Sequence, residues 1–154
     1  DAFVKSGLKD VILDRYAKGA VLVGISAGAV QLGRYGIVET PDSPATAPLD
    51  LFNLVPMVID THDEQAGWAR LSRTIHLLDG AAAGLGIPAG GGAVVYADAT
   101  IQLCTNSVWR VDASRIRCCV PEKNLEFGRC FATNESHRFI RLYDVSHCVC
   151  RPSP

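Results

Sequence analysis

Residues 18–33 read KGAVLVGISAGAVQLG. Ala20 to Gly24 is a short, continuous apolar run bounded by glycines, which predicts a central parallel strand covered on both faces. Ala27 to Gly33 predicts the start of a helix. Between them, Gly24-Ile25-Ser26-Ala27-Gly28 fits G-x-S-x-G, the sharp strand-to-helix turn that can carry a nucleophilic serine. The spacing has a physical reason. The turn forces the serine into strained backbone geometry, and glycines on either side leave room for close approach. The hydroxyl then projects above the carboxyl end of the strand, beside the free N–H groups of the helix start. The same residues also fit a plain glycine-eased turn with a buried serine, and pattern alone weighs the two evenly.

Upstream, residues 2–18 predict one amphipathic helix with Val4, Leu8, Val11 and Ile12 on its apolar face, closed by Gly19. Downstream, Pro41, Pro44 and Pro48 mark residues 36–50 as an irregular loop. Residues 54–59 predict a strand, and residues 64–78 a helix with Trp68, Leu71, Ile75 and Leu78 on one face. Residues 85–87, 93–96, 101–104 and 108–111 predict short strands, with a turn at Ala89 to Gly92. This order predicts an α/β fold: a doubly wound, mostly parallel sheet with helices on both faces and an antiparallel edge. From about Ala113 no period is readable. The division expected is therefore an α/β domain over residues 1–112 and a cysteine-rich tail of unassigned fold over 113–154.

The chain has 154 residues, enough for one domain, and 48% hydrophobic residues supply a sizeable core. Fifteen Lys and Arg against sixteen Asp and Glu leave a net charge of -1. That balance argues against a nucleic-acid or anionic-membrane surface, both of which need concentrated positive charge. No apolar run reaches membrane-spanning length, so the expected location is cytoplasmic. The cysteines begin at Cys104 and crowd the tail as Cys118, Cys119, Cys130, Cys148 and Cys150, with His137 and His147 nearby. None of these pairs has the C-x2-C or H-x3-H spacing that closes two ligands on one zinc, so no metal is expected.

A nucleophilic serine needs a base. His62 follows the apolar run 54–59 and so lies at the carboxyl end of a strand, where it could share a crevice with Ser26. His76 sits inside a predicted helix and suits packing or the surface. A triad also wants a carboxylate to fix the imidazole tautomer. Glu39, Asp42, Asp60, Asp63 and Glu64 are the candidates. Asp60 and Asp63 are adjacent enough to His62 that their side chains seldom reach the far ring nitrogen. Asp42, in the proline-rich loop, is free to fold over. Arg70 and Arg73 could grip a substrate carboxylate, although a solvated helix face is the commoner role. Gly84 to Ala89 fits the dinucleotide pattern G-x-G-x-x-A, but Pro88 and three glycines lead into a strand rather than a helix.

The segments KGAVLVGISAGAVQLG, LDLFNLVPMVIDTHDE with WARL after it, and GLGIPAGGGAVVY, in that order, resemble the dipeptidase E and cyanophycinase family of serine peptidases. The resemblance covers about residues 3–112. It implies a fold similar to class I glutamine amidotransferases, an elbow G-x-S-A-G-A matched by Gly24 to Ala29, and a D-x-H context matched by Asp60-Thr61-His62. By this resemblance Ser26 is the nucleophile, His62 the general base, and the Ala27 N–H one oxyanion donor. In dipeptidase E-like members the acid falls in the loop after the nucleophile helix, where Asp42 stands. In cyanophycinase-like members it is a glutamate whose position here is Ala89. The family's G-G-[N/D] loop, which supplies a second oxyanion donor, would precede residue 1, so the chain resembles the carboxyl-terminal portion of such a protein, N-terminally truncated.

The function expected is hydrolysis of a peptide or isopeptide bond in a small, acidic peptide through an acyl-enzyme, with no cofactor. Glutamine amidotransferase activity is disfavoured because that chemistry uses cysteine at position 26. The competing expectations are a catalytically degenerate or truncated homologue with no turnover, favoured by Ala89 and by the family loop that would precede residue 1, and an α/β-hydrolase-type esterase. The stretch from Ser26 to His62 is too short for the strands and helices the esterase fold places there.

Overall fold

The computed structural model describes residues 2–39, 47–104, 108–119, 125–126 and 139–143. The chain opens with two helices, α1 (Ala2–Lys5) and α2 (Leu8–Ala17), rather than one. The break falls at Gly7, whose φ of 70° lies in the left-handed region. It also changes which side chains are covered. Of the predicted face Ile12 packs on the core, beside Phe3 and Tyr16, while Val4, Leu8 and Val11 are exposed.

β1 (Leu22–Ile25) leads into α3 (Ala27–Leu32), then into the small hairpin of β2 (Tyr35–Gly36) and β3 (Leu49–Asp50). β4 (Val58–Thr61) follows. It is shorter at its start than the apolar run from Leu54 predicts. The backbone N–H groups of Phe52, Asn53, Leu54 and Val55 bond instead to the carbonyls of Gln31, Leu32 and Gly33. They satisfy the end of α3, whose last carbonyls have no partner within the helix.

α4 (Ala69–Leu77) starts five residues later than the periodicity predicts. Gly67 and Trp68 both have φ near 63° and cannot extend a helix backwards. The Arg70 N–H donates to Asp63 Oδ2 at 3.0 Å, closing the first turn. The predicted apolar face holds: Trp68, Leu71 and Ile75 are buried, and Leu78 packs beside them. β5 (Gly84–Ile87) lies directly under them. A Cβ on Gly86 would sit 2.6 Å from the Trp68 ring, so glycine lets the helix approach the strand. This accounts for the glycines of the dinucleotide-like pattern, which β5 and the following turn absorb.

β6 (Gly92–Tyr96), β7 (Thr100–Leu103), β8 (Val108–Asp112), β9 (Arg115–Cys119), β10 (Leu125–Glu126) and β11 (Phe139–Tyr143) complete the fold. No period is readable after Ala113, yet β9 pairs with β8 and β11 inserts between β1 and β6. The result is a mixed α/β structure. One sheet runs β1-β11-β6-β7-β10 and another runs β4-β5-β8-β9. The β1/β11 and β4/β5 pairs are parallel, and the other pairs are antiparallel. Among the described residues β1 and β4 do not pair with each other. α3 packs against both and brings their carboxyl ends together. Ala29 and Leu32 of α3 join Ile59, Leu85, Ile87, Ala93, Ile140 and Leu142 in one core.

Candidate active site

Ser26 stands between β1 and α3 with φ 51° and ψ -123°, a conformation that a non-glycine residue rarely adopts. Such geometry costs on the order of 1–3 kcal/mol and persists only where the surroundings impose it. Two features impose it here. The Ser26 carbonyl accepts N–H groups from Ala29 (2.8 Å) and Val30 (3.2 Å). Gly24 lets the strand cross α3 at contact distance, since a Cβ there would lie 2.7 Å from Ala29 Cα. The turn aims the side chain outward, and Ser26 is half-buried.

His62 follows the last residue of β4, also at a positive φ, 63°. Ser26 Oγ lies 2.7 Å from His62 Nε2. With the hydroxyl donating to Nε2, the second ring nitrogen carries the proton, which is the tautomer a general base needs. The His62 N–H donates to the Ile87 carbonyl at 3.4 Å, tying the histidine to the end of β5. The pair opens onto a cleft of about 280 Å³ whose walls include Gln31, Ile37, Asp60 and Arg70.

Ala27 is the first residue of α3, where an N–H has no acceptor within the helix. Asp42 lies outside the described residues. The other acidic candidates are each engaged. Asp60 is buried, with its side chain 4% exposed, and pairs with Arg70. Arg70 Nε donates to Asp60 Oδ1 and Oδ2 at 3.0 and 3.1 Å, and Nη2 donates to Oδ1 and to the Thr61 carbonyl. Burial lifts the Asp60 carboxyl above its ordinary range, and the Arg70 hydrogen bond and charge pull against that rise. The Asp60 bond in turn raises the Arg70 guanidinium. Arg73 pairs with Glu39 at 3.2 Å. The two arginines read as a possible carboxylate grip thus already hold acids of this chain.

Glu64 is where sequence reading said least. Its Oε1 accepts the Ala89 N–H at 3.2 Å, and its Oε2 is buried with no hydrogen-bond partner among the described residues. Glu64 stands two residues from His62, and Ala89 stands two beyond Ile87, the acceptor of the His62 N–H. No sequence signal predicts this link, because it joins residues brought together only by the β4/β5 pairing. His76 is exposed and its Nδ1 lies 2.7 Å from the Ser72 carbonyl, away from the site chemistry. His137, His147, Cys130, Cys148 and Cys150, and the side chains of Cys118 and Cys119, lie outside the described residues.

The sequence model of peptidase family S51 matches residues 2–104, a span that contains the serine turn, β4 with His62, and β5. The chain belongs to peptidase family S51. This agrees with the resemblance to dipeptidase E and cyanophycinase. No curated protein and no solved structure shows a significant match. Membership in S51 makes the chain a serine peptidase-like hydrolase by family. Among the described residues no helix is long and apolar enough to cross a membrane.

Proposed function

We propose that this chain is a serine-type hydrolase that cleaves a peptide or isopeptide bond in a small, acidic peptide through an acyl-enzyme. The observation that carries the reading is the 2.7 Å contact of Ser26 Oγ with His62 Nε2 at a strained strand-to-helix turn facing a cleft. Ser26 Oγ attacks the scissile carbonyl while Nε2 takes its proton. The Ala27 N–H stabilises the oxyanion. The imidazolium then gives that proton to the leaving amine, and the C–N bond breaks. Water, deprotonated by Nε2, hydrolyses the ester and returns the hydroxyl to Ser26. Asp42 is the acid that orients the imidazole in this reading, on the family resemblance. The preference for acidic substrates rests on the same resemblance. The doubly wound, amidotransferase-like framework belongs to the same proposal, supported by the parallel β1/β11 and β4/β5 pairs.

One observation favours a second reading. Alanine occupies position 89, where cyanophycinase-like members carry their acid, as a catalytically degenerate relative would have it. A fluorophosphonate probe separates the two. Covalent labelling of the folded chain that vanishes in Ser26→Ala supports the hydrolase, and Asp-Xaa dipeptides cleaved in preference to simple esters support the peptidase. A folded chain that takes no label overturns the hydrolase reading in favour of the degenerate one.

A further inference from the structure

His62 has two features that normally loosen a side chain. It is exposed, so core packing does not grip the ring, and its backbone sits at φ 63°, where an L-residue relaxes unless held. Yet its Nε2 must stay within hydrogen-bond reach of Ser26. One hold is the His62 N–H to Ile87 carbonyl bond, which is long at 3.4 Å. The next along the turn is the Glu64 carboxylate, which crosses to the segment leaving β5 and accepts the Ala89 N–H at 3.2 Å. Together they seat residues 62–64 against residues 87–89.

Glu64 does this at an energetic disadvantage. A buried carboxylate oxygen without a partner costs on the order of 1–3 kcal/mol, and more when charged. An apolar residue would avoid that cost. The other described acids flanking His62 are committed elsewhere: Asp60 to Arg70 and the Thr61 N–H, and Asp63 to the first turn of α4. Glu64 alone among these three reaches across to the neighbouring strand's exit.

We propose that Glu64 is a positioning residue. Its carboxylate straps the histidine turn to the backbone at Ala89 and so holds the imidazole on Ser26. This rests on the hydrolase reading above, and the strap acts through the Ala89 N–H, at the position where the resemblance places a catalytic acid in other members.

The test compares Glu64→Ala with Glu64→Gln in the full chain. A misplacement near 1 Å costs about 10²-fold in rate. Glu64→Ala is therefore expected to lower kcat on the dipeptide substrate by about 10–10²-fold with KM within about twofold. Glu64→Gln, whose amide oxygen still accepts the Ala89 N–H, is expected to restore kcat to within about threefold of the parent. A kcat for Glu64→Ala within twofold of the parent overturns the proposal. So does Glu64→Gln as impaired as Glu64→Ala, since the charge rather than the hydrogen bond would then matter. Amide hydrogen exchange at Ala89 gives a readout independent of turnover. It is expected to be slow in the parent and faster in Glu64→Ala, or in Glu64→Asp if the alanine variant does not fold. Unchanged exchange overturns the strap even if the chain proves to be an active hydrolase. Faster exchange in a chain that takes no fluorophosphonate supports the strap and sinks only the hydrolase reading.

Discussion

The strands that carry Ser26 and His62 end side by side, but they are held in opposite ways. β4 is buried along its whole length, between β5, α3 and α4. Among the described residues β1 lies at the edge of its sheet; Val23 and Ile25 along it are 55 and 47% exposed, and Val21 just before it is 45% exposed. Position on the histidine side comes from an inherited environment: a packed strand, a helix laid on glycines, and the Asp60–Arg70 pair. Position on the serine side comes from a local device, the crossing of Gly24 and Ala29 that bends the chain at Ser26. The two halves of the site should therefore fail differently when perturbed.

The largest effect is expected on the histidine side. Arg70→Met leaves the buried Asp60 carboxylate without its cation. Breaking such a pair costs about 3–5 kcal/mol, and the low end applies because the Arg70 side chain is 45% exposed. The pH dependence has a definite sign. Burial makes Asp60 hold its proton more tightly folded than unfolded, so its ionisation opposes folding as pH rises past the ordinary carboxylate range. Arg70 offsets that. The stability gap between the variant and the parent should widen from about pH 4 to pH 7. Denaturant melts at both values check this, and a gap that narrows with rising pH breaks the account.

A smaller stability effect with a larger effect on chemistry is expected at Gly24→Ala. The added Cβ meets three backbone atoms of α3, Ala29 Cα at 2.7 Å and Ala29 N and the Gly28 carbonyl oxygen at 2.8 Å. Overpacking of this kind costs about 1–3 kcal/mol. The elbow should open, and fluorophosphonate labelling should fall by at least about 10²-fold while the chain stays folded. Parent-level labelling would mean the crossing does not set the serine.

The smallest effect is expected at Val23→Thr. The side chain is already more than half exposed, so the change should stay within about 0.5 kcal/mol by the same melts and leave labelling intact. A loss near 2 kcal/mol would show that this face is covered in solution, and the contrast between the two strands would dissolve.

The serine turn was legible in the sequence because its causes are local. Gly24, Ser26 and the flanking apolar and helical runs lie within residues 20–33. His62 was legible because an apolar run preceded it. The face of α4 was legible because Trp68, Leu71 and Ile75 repeat at helical spacing. What escaped depends on contacts distant in the chain. Leu54 and Val55 look like strand, but their N–H groups are taken by the end of α3. Val4, Leu8 and Val11 look like a buried stripe, but Gly7 turns them out. Glu64 has no local signature, since its partner among the described residues, the Ala89 N–H, is set by β4/β5 register. β11 was unreadable because five residues between β1 and β6 take their identity from neighbours, not from their own period.

That last strand bears on how the molecule is made. Leu22 pairs with Ile140, so the strand leading to Ser26 emerges from the ribosome long before the segment that completes its ladder. Closing so wide a loop is entropically slow. Until it closes, the strand leading to Ser26 has no strand neighbour among the described residues, and under the proposed function activity is expected to be the last property the newborn chain acquires.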